Sequence, residues 1–350
     1  MNKQNSDSKL YFYPGAIHIH SKFSDGTGDI FKISRAAKKA GLFWIIVTDH
    51  NCIDIEEGIY NDVFVIKGEE ISPETENHYI ALDIDSAILP SDSPHEYVEA
   101  VRSHGGFGFA THPDEAEKRK NKAKPLRWTD KSVDVDGIEI WNWFSDWVDN
   151  YDESNIFTLA KAYFLCHKLI KGPHAETLKW WDELNLKREN IVPAIGGADA
   201  HALKVTKYFL PLKVFPYSFC FKTLTNVITL QKPLSKDFDE VKRAVLDSIK
   251  RGNNLIINRK YSKTSQFPLF QAVNESNAVN AGGEIELSEN SYLHIKLPQK
   301  ADIKILKDGM PFYSENSKKI ILKLDRRGKY RFEAYFKNNP WIFSNPIKVK

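Results

Sequence analysis

Cysteine is scarce in this sequence, at three in 350 residues, and Cys52, Cys166 and Cys220 are widely separated with no CxxC pair. That excludes a disulfide framework and a thiolate zinc site and leaves the three as core residues. An excess of one charge is missing as well: 49 Lys and Arg face 46 Asp and Glu, a formal net charge of +3, so no net basic character points to nucleic acid. Long hydrophobic runs are absent. No segment approaches the roughly 18 uninterrupted apolar residues of a membrane span, and the opening MNKQNSDSKLYFYPG lacks the apolar stretch of a signal peptide. A cytoplasmic protein with no membrane partner is expected. Neither a GxSxG elbow nor a P-loop pattern occurs, which disfavours covalent serine hydrolysis and a triphosphate cradle. There is no internal repeat or low-complexity tract.

What the chain does have is 42% apolar and 12% aromatic content, enough for one large core and a smaller second domain. Short β-branched and aromatic runs alternate with helix-like segments, as in parallel α/β architecture. Such runs are AIHIH at 16–20, WIIVT at 44–48, VFVIK at 63–67, GFGFAT at 106–111, GIEIW at 137–141, IVPAIG at 191–196 and NLIIN at 254–258. A further run, HYIALDI at 78–84, is expected to pair beside the third. Ile30, Ile33, Ala37 and Ala40 recur at helical spacing before Gly41, which predicts a crossover helix. Near Gln266 the pattern changes to SYLHIKL, ADIKILKDG, KKIILKL, GKYRFEAYF and WIFSNPIKV, separated by turn signals. The predicted organisation is an α/β domain over 1–265, with an aromatic-rich helical insertion at about 143–190, and a small all-β, sandwich-like domain over 266–350. The second domain has one histidine and no ligand cluster, so it reads as a packing or interaction module.

Histidines and carboxylates gather at the carboxyl ends of the predicted strands. His18 and His20, two apart on one strand, can share one metal, and Asp25 follows in SDG. The next runs end in Thr48-Asp49-His50-Asn51, Gly68-Glu69-Glu70 and Thr111-His112-Pro113, and the sixth in Gly197-Ala198-Asp199-Ala200-His201. In a parallel barrel these ends converge on one mouth. A mixed imidazole and carboxylate set suits Zn, Mn or Fe better than Mg or Ca, which prefer oxygen alone.

HIHSKFSDG, TDHN, GEEI, THP and GADAH resemble, in order, the motif series of the PHP (polymerase and histidinol phosphatase) superfamily, and PWIFSNPI resembles a segment that follows the PHP domain in stand-alone bacterial phosphoesterase-like members. The resemblance implies a distorted (β/α)7 barrel holding two or three divalent ions, with His18, His20, Asp25, His50, Glu70, His112, Asp199 and His201 as ligands and His78 as a further one. It implies that Glu70 bridges two metals. Asp49 and Glu69 are expected beside the ligands rather than among them. His95, His104, His167 and His174 fall outside the motifs.

The expected chemistry is hydrolysis by a metal-bound water, held by Glu70, Asp199 and His112, acting on a small phosphate ester or nucleotide. Lys22 and Asn142 are candidate substrate contacts, with Glu139 a support inside its strand. Trp143 is a third candidate, from a segment in which Trp141, Phe144, Trp147, Tyr151, Trp180 and Trp181 also cluster. An apolar core face is the simpler reading of that aromatic stripe; a wall stacking a nucleobase is the functional one. Three other functions fit the same residues: a carboxylic or carbamate ester hydrolase, a nucleic-acid exonuclease using the basic run KRKNKAK at 118–124, and a non-catalytic metal-stabilised binding protein. Oligomeric state is not readable.

Overall fold

The structure is a computed structural model that describes residues 9–113, 115, 116, 121, 123–152, 156–207, 210–262 and 266–350. Seven strands, β1 (Tyr11–Ile19), β2 (Trp44–His50), β3 (Val63–Ile71), β4 (Tyr79–Leu82), β5 (Phe107–Ala110), β6 (Gly137–Asn142) and β7 (Ala194–Ala200), close into a barrel. Neighbours run parallel except at β4, which is antiparallel to both β3 and β5. The expected distorted (β/α)7 barrel is therefore present, with a different strand list. The 78–84 run supplies a barrel strand, whereas the 254–258 run lies outside the ring. The reversal follows from chain length, because a parallel crossover takes about a dozen residues or more and the link from Ile71 to Tyr79 is shorter.

Alternation along the strands sorts the two faces. Ile17, Ile46, Ile66, Ile80, Phe109 and Ile195 form one buried cluster with Val241, Val245 and Ile249 of α6 (Phe238–Arg251), which places this helix over the barrel's closed end. The opposite face, with Ala16, Ile45, Val65, Ala81 and Ile138, packs on the helices α1 (Ile30–Lys39), α2 (Pro94–Ser103), α3 (Trp143–Asn150) and α5 (Ala175–Lys187). The crossover helix α1 begins where the Asp29 carboxylate accepts from Lys32 N at 2.9 Å, an N-cap. A further helix, Ile156–Phe164, follows α3. Among the described residues no helix is long and apolar enough to cross a membrane.

A second sheet grows out of the barrel. The first half of β1 pairs antiparallel with β8 (Leu224–Leu230), which pairs with β9 (Asn254–Asn258). The all-β region continues from there with β10 (Leu269–Val273), β11 (Tyr292–Lys307), β12 (Met310–Lys323), β13 (Gly328–Phe336), β14 (Asn339–Ser344) and β15 (Ile347–Val349). Strand β11 pairs with β10 in its first half and with β13 in its second, so one strand serves two layers. Strand β14 pairs with β9 and closes the path back to the barrel. Just beyond it, buried Asn345 accepts from Ala194 N at 2.6 Å and donates to Ala194 O at 2.9 Å, fixing the start of β7. Arg331 of β13 makes a bidentate pair with Asp182 of α5 at 2.7 and 2.6 Å and bonds Glu333 at 2.7 Å.

Candidate metal centre

The inward positions of the barrel lead directly to the polar end. Two-residue steps along β2 run from Ile46 to Thr48 and His50, along β3 from Ile66 to Gly68 and Glu70, and along β7 from Ile195 to Gly197 and Asp199. Regular alternation does not account for every ligand. The β1–β7 register shifts between Ile17 and Ile19, and His18 there has φ 65°. His112 and Asp199 also have positive φ, at 30° and 47°. Such backbone is costly for residues with a Cβ and concentrates where side chains must be re-aimed.

Glu70 sits at the middle of the cluster and is buried. Its Oε1 lies 3.1 Å from His78 Nδ1 and 3.1 Å from His112 Nε2, while Oε2 lies 3.0 Å from His50 Nδ1, 3.3 Å from His18 Nε2 and 3.4 Å from His20 Nε2. The two oxygens thus face different imidazole sets. Asp199 Oδ1 lies 3.6 Å from His18 Nε2, 3.4 Å from His20 Nε2 and 3.4 Å from His201 Nδ1. Asp25 Oδ1, on a half-exposed side chain, lies 3.2 Å from His201 Nε2 and 3.7 Å from both His20 Nδ1 and His50 Nε2. All nine expected ligands meet here.

No family model matches this chain. The uncharacterised protein MJ1587 of Methanocaldococcus jannaschii is 31% identical over 143 residues, 36% of this chain and 80% of that protein. The two share a family. Solved structures with a similar chain course include a two-domain protein of Bacteroides vulgatus containing a predicted PHP-like metal-dependent phosphoesterase, at 13% identity and TM-score 0.45, covering 97% of this chain and 96% of that one. PsfC of Pseudomonas syringae is similar at 13% identity and TM-score 0.37, covering 68% of this chain and 98% of that one.

In this chain the donor set fits divalent ions on its own chemistry. His18 Nε2, His20 Nε2, Glu70 Oε2 and His112 Nδ1 are buried without a hydrogen-bond partner, which is costly unless something else pairs with them. Four groups of donors lie within 4.8 Å of one another: His20, Asp25, His50 and His201; His18, Glu70 and His112; His18, His20 and Asp199; and His50, Glu70 and His78. Burial works against charge on His18, but Glu139, Asp199 and Glu70 together raise its pKa well above the ordinary value. Burial also opposes ionisation of Glu70, yet His18 and His50 hold it well below the usual carboxylate range. His20 is pulled down to about 4 by burial and by His201. Closely spaced carboxylates and imidazoles of this kind release protons when a cation takes their place.

Other predicted residues behave differently. Glu139, expected as a support, accepts from His18 Nδ1 at 2.7 Å, His112 N at 2.7 Å and Asn142 Nδ2 at 3.1 Å. Asn142, a candidate substrate contact, is buried; its amide also donates to Asp199 Oδ2 at 3.2 Å, and its oxygen accepts from Ser145 N at 2.9 Å as the N-cap of α3. That leaves it no hydrogen for a substrate. Trp143 is buried with its ring against Phe215 and Phe219, inside the aromatic cluster, and presents no surface to a ligand. Phe144 instead comes to the centre, its ring 5.7 Å from that of His201. Lys22 is exposed, with Nζ 5.6 Å from the Phe23 ring centre. Asp49 accepts from Ser21 N, Ser21 Oγ and Ser24 Oγ at 2.7, 2.6 and 2.5 Å, and Glu69 accepts from Ile88 N at 2.8 Å. Lys118, Arg119, Lys120 and Lys122 of the basic run lie outside the described residues. Ser72, which bonds His50 Nδ1 at 2.6 Å, carries no sequence signal.

Proposed function

We propose that this chain is a metal-dependent hydrolase that cleaves a small phosphate ester or nucleotide. One observation carries the reading: Glu70 offers each carboxylate oxygen to a separate set of imidazoles, the arrangement a carboxylate needs to serve two cations at once. Bound divalent ions would supply Lewis acidity and lower the pKa of coordinated water towards neutrality.

The chain's own residues do the positioning. His18, Glu70 and His112 would hold one ion and His20, Asp25, His50 and His201 another, with Asp199 grouped with His18 and His20, and His78 with His50 and Glu70. Because Glu139 can only accept, His18 Nδ1 carries the proton facing it, and Nε2 is left with its lone pair turned to the cluster. Asn142 holds Asp199 Oδ2, which leaves Oδ1 facing three imidazoles.

The test is a panel of p-nitrophenyl phosphate, bis-p-nitrophenyl phosphate, p-nitrophenyl acetate and short oligonucleotides, each with Mn, Zn and Fe. Turnover of a phosphate ester that His18→Ala/Asp199→Asn abolishes is the expected result. Phosphatase activity retained in that folded variant refutes the proposal. Acetate turnover alone would favour the carboxylic ester reading, oligonucleotide turnover alone the nuclease, and silence throughout the binding protein.

A further inference from the structure

The ligands do not all stand on the barrel wall. His20, His50 and His201 follow directly from strand ends, whereas Asp25 belongs to the connection over residues 21–28 between β1 and α1. That segment is tied down at both ends. On the β2 side, Asp49 accepts from Ser21 N, Ser21 Oγ and Ser24 Oγ. At the far end a single hydroxyl does the work: buried Tyr217 accepts from Thr27 N at 3.1 Å and Gly28 N at 3.0 Å, and donates to the carbonyl of His20 at 2.7 Å. Thr27 N also reaches His201 O at 3.0 Å, and Thr27 Oγ1 donates to Ala202 O at 2.8 Å. The Tyr217 ring packs so closely on the segment that a Cβ at Gly28 would meet its Cε2 at 2.6 Å.

We infer that Tyr217 is a positioning residue: its hydroxyl pins the segment bearing Asp25 against His20, and so sets the affinity of the group formed by His20, Asp25, His50 and His201 separately from the rest. Tyr217 touches none of the ligand atoms in that group. It acts through backbone, on a carbonyl of one ligand residue and on the amides that anchor the loop of another. Three hydrogen bonds converge on one oxygen, so its removal leaves the Gly28 N–H and the His20 carbonyl short of a partner and takes from Thr27 N one of its two acceptors, the other being His201 O. The inference rests on the metal-binding reading above.

Tyr217→Phe removes the oxygen and keeps the ring. In chelator-buffered zinc or manganese that just fills wild-type protein, the variant should lose affinity at one class of sites by about tenfold to hundredfold, the range for groups that orient a ligand without touching the metal. Affinity at the sites using His18, Glu70 and His112 should stay within about twofold. Asp25→Ala should lose the same class, and Asp25→Ala/Tyr217→Phe should be no worse than Asp25→Ala. Full wild-type affinity in Tyr217→Phe, or further loss in the double variant, overturns the inference. A metal-independent arm keeps the two ideas apart: in metal-free protein, the Gly28 amide should exchange with solvent about tenfold faster in Tyr217→Phe. If wild-type protein takes up no metal, the metal reading fails, and faster exchange still supports the clamp. Unchanged exchange overturns it.

Discussion

Replacing Glu139 by Gln exchanges one carboxylate oxygen for an amide nitrogen at a position with no spare room. Glu139 is fully buried and takes three hydrogen bonds, from His18 Nδ1, His112 N and Asn142 Nδ2. A Gln has one accepting oxygen. If that oxygen keeps His112 N, the NH2 group faces His18 and forces its Nδ1 to accept, which moves the ring proton to Nε2 and blocks the lone pair meant for the cluster. If the oxygen keeps His18, the NH2 faces the His112 amide, donor against donor, and pushes His112 away from Glu70. Either way a ligand is mis-set. Loss of such an orienting carboxylate lowers metal affinity about 10- to 100-fold, or about 1.4–2.7 kcal/mol at 1.36 kcal/mol per tenfold. Competition between Glu139→Gln and a chromophoric chelator for zinc measures this directly. Affinity within about twofold of wild type, in a protein with unchanged circular dichroism, would refute the reasoning.

Three other outcomes follow from the same packing. Gly197→Ala places a Cβ 1.6 Å from Glu139 Oε1 and should weaken zinc binding as Glu139→Gln does; undiminished binding would show that Glu139 can move freely. Burial raises the Glu69 carboxyl from 4.5 to about 7, against the opposing bond from Ile88 N. Between those values only the folded state keeps the proton, so this group's contribution to stability falls as pH rises; urea midpoints in EDTA should therefore favour Glu69→Gln over wild type increasingly from pH 4.5 to 7, and parallel curves would contradict the shift. Asp182→Ala strips a partly buried partner from buried Arg331, which keeps Glu333, and should cost about 1.5–3 kcal/mol in urea unfolding, with a loss below about 0.5 kcal/mol counting against a desolvated pair.

Much of the centre was legible because ligands project at two-residue steps from hydrophobic strands: Ile46 announces His50, and Ile195 announces Asp199. The helix over 30–39 was equally plain from its apolar spacing and Gly41. What stayed hidden depends on partners distant in sequence. LIIN at 255–258 looks like any buried strand, and only its pairing with β8 and β14 shows that it stands outside the ring. Glu139 reads as an interior strand residue until a bulge in the β6–β7 register and a left-handed His18 bring their side chains together. Asn142 looked free to bind substrate because neither its capping of α3 nor its bond to Asp199 is a local property.

The sheet that runs from β1 through β8 and β9 to β14 has a consequence for how the protein is made. Tyr11 pairs with Leu230, and Leu255 with Ser344, so the strand carrying His18 gains its outer neighbours only once residues up to 258 exist, and β9 gains its second neighbour only once residues 342–344 do. Until then β9 offers a row of unpaired backbone groups to any passing strand. Pairings this far apart in sequence also close slowly. A nascent chain halted before Trp341 would hold every ligand of the cluster and still expose that edge, which β14 then covers.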